Sequence, residues 1–183
     1  GHALHLAIEK NNLELVQWLC TINNYKPYEL QTYLTLQSQI SLWDKDNHET
    51  SSTAIEIAAE RGYFAIFDWI LSQFPPEKLN IDFLERSLCL AATHGHFSIV
   101  ECLIKFGVNP NTTTRKHPLP LHCAASNDHL QIVEFLVRSG ADINAVNVDG
   151  YAALHLASSN TDIINFLCEA GANVNIKTLQ GQT

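Results

Sequence analysis

The sequence predicts an all-α solenoid of about five helix–turn–helix units, and three observations carry that prediction. Short Ala-rich segments recur along the chain: LHLA at Leu4–Ala7, IEIAA at Ile55–Ala59, LCLAA at Leu88–Ala92, LHCAA at Leu121–Ala125 and LHLA at Leu154–Ala157. Their starts lie 51, 33, 33 and 33 positions apart, and self-similarity at a fixed period of this size marks a repeat array. A second apolar pattern follows each of them, as in Ile99-Val100-Glu101-Cys102-Leu103 and Ile132-Val133-Glu134-Phe135-Leu136. Apolar residues one and four positions apart bury a broad helical face. Turn formers supply the third observation. Asn11-Asn12, Gly62, Gly95 and Asn127-Asp128 separate the two helices of a unit. Gly107, Gly140 and Gly171 end the second helix, where a left-handed C-cap has no steric cost. No such unit can bury its apolar face alone, so neighbours must stack to make a core.

The elements follow in order. Unit 1 covers about residues 1–24 and begins inside its first helix; Leu15-Val16-Gln17-Trp18-Leu19 is its second. The first interval exceeds the period by 18 residues, which predicts an insertion at about 25–47. There Pro27 suits a first helical turn, and Leu30, Tyr33 and Leu34 follow at helical spacing, so a short extra helix is expected. Its Tyr28 and Tyr33, with Trp43 beyond, fit either a lid packed on the array or a partner-binding element. Unit 2, about 48–80, diverges from the pattern. Tandem Pro75-Pro76 stops its second helix and predicts an irregular link to unit 3. Unit 3 covers about 81–113 and unit 4, the most regular, about 114–146. Unit 5, about 147–177, lacks two residues around Ser158–Asp162, which predicts a tighter turn or a shorter first helix. Residues 178–183 read as the start of a further unit. With no Met at position 1 and no polar capping face at either end, the chain reads as part of a longer protein. Leu103, Leu136 and Leu167 are expected to be buried between units. Trp18, Trp69, Phe135 and Phe166, with Cys102 in the remaining unit, share one position of the second helix. That ladder suits core or outer-face packing; exposed, it would be a second binding face.

The period, the LHxAA segment, the IVxxL helix and the GADIN ending at Gly140–Asn144 resemble ankyrin repeats across essentially the whole chain outside the insertion. The resemblance implies a β-hairpin-like finger between successive units. Residues 107–117 and 140–150 have the length for one, and Asn147-Val148-Asp149-Gly150 has the turn chemistry, although His117 stands where Gly is usual. It also implies a partner protein held in a concave groove lined by finger tips and the inner side of the first helices. Carried onto this chain, the helix positions are Glu9, Lys10, Glu60, Arg61, Thr93, His94, Ser126, Asn127, Ser159 and Asn160. The tips are Phe83, Glu85, Arg115, Lys116, Val148, Asp149 and Tyr151. The partner-binding candidates are Arg61, Phe83, Glu85, His94, Arg115, Lys116, Asn127, Asp149 and Tyr151. Arg61, Phe83, Arg115 and Tyr151 rank first, because aromatic and Arg side chains dominate interface energetics. Independently of any family, these positions lie outside the stacking pattern, vary between units and recur at a spacing fixed by the scaffold.

Other classes fare worse. The formal net charge of −8 repels phosphate backbones, so nucleic acid is not an expected partner. No run approaches the roughly 18 apolar residues of a membrane helix, and no signal peptide is visible, so membrane insertion is not expected. The five cysteines are odd in number and show no CxxC spacing, which fits buried, reduced thiols in a cytoplasmic compartment. His5, His122 and His155 share one repeat position, where in the family the imidazole braces neighbouring loops; His96 and His129 open second helices. His94-Gly95-His96 lacks the clustered ligands of a metal site. His122 and Cys123 are adjacent on a helix and point in different directions, so they make no nucleophile pair. GxSxG, GxxxxGK[ST], HExxH and GxGxxG are all missing. No cofactor, metal or catalytic residue is expected, and the chain reads as a protein-recognition module rather than an enzyme. The alternative is the targeting arm of a larger enzyme, such as a secreted bacterial effector acting in host cytoplasm, with its catalytic domain outside this chain. Further repeats or domains of the parent chain are expected neighbours in either case.

Overall fold

Ten helices form among the described residues, which in this computed structural model are 2–22, 53–73, 81–112, 119–157 and 160–181. The predicted insertion, the Pro75-Pro76 link, and Arg115, Lys116 and His117 lie outside them. The chain divides into two compact units, Gly1–Ser87 and Leu88–Thr183.

The first unit holds α1 (His2–Glu9), α2 (Leu13–Ile22), α3 (Ala54–Arg61) and α4 (Phe64–Ser72), with the start of α5 (Ile81–Thr93). First helix packs on first and second on second: α1 lies against α3, and α2 against α4. Small residues allow the close approach. Ala7, Ala58 and Ala59 are buried beside Ile8, Val16, Ile66 and Phe67. Thr53 starts α3 with a capping box. Its backbone N–H donates to Glu56 Oε2 (2.6 Å), and its Oγ1 accepts from the Glu56 N–H (3.3 Å). The Tyr63 hydroxyl donates to the Glu9 carbonyl (3.3 Å) and so ties α4 to the end of α1.

The second unit continues with α6 (Phe97–Lys105), α7 (Pro120–Ser126), α8 (Leu130–Arg138), α9 (Ala153–Leu156) and α10 (Thr161–Glu169). α7 packs on α9, while α8 packs on α6 and α10, again in chain order. Leu103, Leu136 and Leu167 are fully buried, as the apolar pattern requires. The two residues missing from repeat 5 come out as a shortened first helix: α9 has 4 residues where α7 has 7.

One backbone position explains the punctuation. Asn11, Gly62, Gly95 and Asp128 occupy the same place in the turn between helices, and all four have positive φ (51°, 74°, 78° and 62°). Gly, Asn and Asp tolerate this region best. At Gly95 a second constraint acts, because a Cβ there would lie 2.6 Å from Cε1 of His129. In repeat 5 the place of His129 is taken by Asn160, whose side chain turns back to cap α10, accepting from the Asp162 and Ile163 N–H groups. Asp128 can therefore carry a Cβ.

The finger of repeat 5 is a tight turn with a single antiparallel bridge, Val146 to Ala152, rather than a developed hairpin. The Gly150 N–H donates to the Asn147 carbonyl (2.9 Å), and Asn147 Oδ1 accepts from the N–H groups of Asp149 and Tyr151. At the finger bases Asn109, Asp142 and Asn173 each accept, through Oδ1, from the N–H two residues on. Asn111 and Asn144 accept from the N–H of Asp142 and Asn173 in the following repeat (2.7 and 2.8 Å), which joins one finger base to the next.

Two expectations need correction. α5 begins at Ile81, seven residues before the Ala-rich segment at Leu88, so Phe83 and Glu85 sit on a helix and not at a finger tip. Cys168 is exposed, unlike the buried Cys20, Cys89 and Cys123.

Candidate recognition surface

In the second unit the candidate residues fall into two rows at opposite ends of the first helices. The turn row holds His94, which directly follows α5, and Asn127, which caps α7; both are exposed. They are equivalent residues of successive repeats. The tip row holds Asp149, exposed at the finger turn, and half-buried Tyr151, which leads into α9. A seven-residue helix separates the rows by about 10 Å at 1.5 Å per residue. Between them α7 offers nothing, because Pro120 through Ala125 are all buried. The structure therefore does not gather the candidates into one cluster.

Each row is held from below. Asn127 donates through Nδ2 to the Cys123 carbonyl (2.8 Å) and to Ser126 Oγ (3.1 Å), which leaves its Oδ1 free to accept. The His94 and His96 rings stack at 6.2 Å between centroids. Tyr151 sets its ring edge-on to His155 at 5.9 Å, and its N–H is bound by Asn147. In the first unit Arg61 ends α3, exposed, just before the left-handed Gly62. Phe83 and Glu85 are half-buried on α5. Arg115 and Lys116 lie outside the described residues.

The shared His position does structural work. His155 Nδ1 accepts from the Ala152 N–H (3.0 Å), which fixes the tautomer, so Nε2–H donates to the Ile176 carbonyl (3.1 Å) in the next finger. His122 donates from Nε2 to the Ala145 carbonyl (3.0 Å). Its Nδ1 is buried without a partner. Glu56 does the same job with other chemistry: Oε2 takes the Thr53 N–H, and Oε1 meets Arg86 Nε at 2.9 Å. The Arg86 N–H is not aimed at that oxygen, so the contact is an ion pair and not a directed hydrogen bond. His129 reaches back through Nε2 to the Thr93 carbonyl (3.0 Å), the counterpart of Tyr63 on Glu9.

Within each compact unit these brackets recur along the array: Tyr63 and His129 reach back to the preceding repeat, and His122 and His155 reach the finger that follows their helix. The family model for ankyrin repeats matches residues 88–178 in three copies. Residues 88–178 belong to the ankyrin repeat family. A comparison with curated proteins finds no match. Ankyrin repeats are general protein–protein interaction modules and are typically non-catalytic.

Within this ankyrin array the second-helix aromatics are largely consumed by packing. Phe135 meets Phe97 edge-on at 5.4 Å, and the Arg138 guanidinium lies 5.9 Å from the Phe166 ring centre. Trp18 is the outlier, 57% exposed beside exposed Leu15 and Ile22. His122 and Cys123 do not form a pair: the imidazole goes to Ala145, while the Cys123 thiol, free like that of Cys89, shares hydrogen bonds with Cys89 and Thr93. Those hydrogen bonds draw the Cys123 thiol below its ordinary value, against its burial. Burial pushes the Cys20 thiol up to about 11. Among the described residues no group of three or more His, Cys, Asp or Glu could hold a metal ion, and no helix is long and apolar enough to cross a membrane.

Sequence reasoning missed two partners. Arg86 carried no repeat signature, and Leu179 was read as the opening of another unit. The capping box at Thr53 to Glu56 was legible as T-x-x-E.

Proposed function

We propose that this ankyrin array recognises a partner protein through the turn row and the tip row of its second unit, along the groove side. Asn127, His94, Asp149 and Tyr151 contribute from the described residues; Arg115 and Lys116, expected at a tip from the sequence, lie outside them. One observation carries the reading. The residues that stack the repeats are fully buried and alike from unit to unit, whereas the residues at the tips and turns are exposed or half-exposed and differ. A scaffold that fixes variable side chains at regular intervals has already met part of the ordering cost of binding.

The test is a pull-down with the array, comparing wild type, Tyr151→Ala and Arg115→Glu/Lys116→Glu, with thermal melts alongside. The reading expects a specific partner retained by wild type and lost or weakened in the variants, at unchanged melting temperature. Equal retention by all three proteins would remove the tips from the interface.

A further inference from the structure

We propose that the adjacent finger tips at Val148 and Leu179 anchor a peptide segment carrying branched aliphatic side chains next to a Lys or Arg that meets Asp149. This rests on the recognition reading above and names the chemistry of the partner.

The two tips touch. The Leu179 N–H donates to the Asp149 carbonyl (3.3 Å). A Cβ on Gly150 would lie 2.8 Å from the Leu179 nitrogen and 3.3 Å from its Cγ, so Leu179 leans over the glycine of the preceding finger. Val148 and Leu179 hold the same position in their repeats, and they are 92% and 79% exposed. Val148 keeps that exposure although the next finger is packed against its own. The position therefore points away from the stack.

The turn does not account for these residue types. Turn centres favour Asn, Asp, Ser and Gly, and a β-branched aliphatic gains nothing there in water. Nor is the tip loose, because Asn147 Oδ1 reaches across the turn to fix the N–H groups of Asp149 and Tyr151. Val148 is an apolar group held out on a rigid support, with Val146 also exposed behind it.

Charge selects the partner. Asp149 is exposed and has no ion-pair partner among the described residues. On the two fingers Asp142 and Asp149 outnumber Lys177. Lys105 and Arg138 are already engaged by Glu101 (2.8 Å) and Glu134 (3.0 Å) on the second helices. An incoming cation thus finds an unmatched carboxylate beside two apolar contacts.

Selection of a displayed library of short random peptides on the full chain tests this. Enriched sequences should pair Leu, Ile or Val with Lys or Arg. A synthetic copy of the best one should bind Val148→Ser/Leu179→Ser at least about tenfold more weakly than wild type, with the melting temperature unchanged. Selection on Asp149→Lys should shift enrichment toward Asp and Glu. Enrichment of acidic peptides on wild type, or equal binding to the Val148/Leu179 variant, would overturn the inference. Should the best peptide be lost on Tyr151→Ala and Asn127→Ala but not on Val148→Ser/Leu179→Ser, this inference fails and the recognition reading stands. If nothing is enriched, both fail.

Discussion

His122, His155 and Glu56 show how one helix position can do the same work with different atoms. His122 and His155 offer a polar atom to the finger that follows and Glu56 to Arg86 of α5, but only His155 and Glu56 also take the N–H at the start of their own helix. The partnerless Nδ1 of His122 has a consequence. Protonation there would place a charge in a buried site with no acceptor, and burial accordingly holds the imidazole below its ordinary value despite the bond to Ala145. The unfolded chain then binds a proton more readily than the folded one. His122 contributes stability that is present above about pH 6.5, the unperturbed imidazole value, and lost as pH falls through the lower folded value. Denaturant melts taken across that window should show stability declining with acid, and His122→Gln should flatten the decline; an unchanged slope in the variant would refute the assignment. Gly95 makes a second residue-level case. Gly95 and Gly140 both have positive φ, but a Cβ at Gly140 meets nothing within 4 Å. Gly140→Ala should cost about 1 kcal/mol from backbone strain alone. Gly95→Ala should cost more, and His129→Ala should relieve part of the excess in a double-mutant cycle.

At the scale of the element, the second helices were the most legible part of the sequence. Stacking demands the same apolar register in every unit, so the period itself located Leu103, Leu136 and Leu167 in the core. Leu136→Ala should cost roughly 2–5 kcal/mol by lost transfer energy and the cavity left behind, and a loss below about 1 kcal/mol in denaturant melts would mean the register is misplaced. The extent of α5 was not legible. Its last turns follow the period, but Ile81–Ser87 are held by contacts outside it, above all Arg86 on the buried carboxylate of Glu56. Helix length depends on such end contacts, which no spacing rule encodes. Phe83 and Glu85 were therefore displaced from an expected tip onto a helix. The pair itself is testable. Arg86→Ala leaves a buried carboxylate with the Thr53 N–H but no countercharge, at a cost of roughly 3 kcal/mol, while Glu56→Gln with Arg86→Met should restore most of it. If the double variant is no more stable than the single one, the ion pair is not what holds the start of α5.

At the scale of the molecule, the sequence located the exposed rows because they are what remains once the stacking pattern is subtracted. It did not reveal that α7 is buried from Pro120 to Ala125, which splits the candidates into a turn row and a tip row. Burial of that helix depends on packing of neighbours from both sides, a property of the assembled array and not of one repeat. The central claim is that the tips and turns meet the partner, and that the outer faces of the second helices do not. Hydrogen exchange on the captured complex tests it most directly. The account predicts slowed exchange on binding at 147–151 and 178–181 and around Asn127, with α6, α8 and α10 unchanged. Slowing confined to the outer faces of α6 and α8, with the finger tips exchanging as in the free protein, would contradict it.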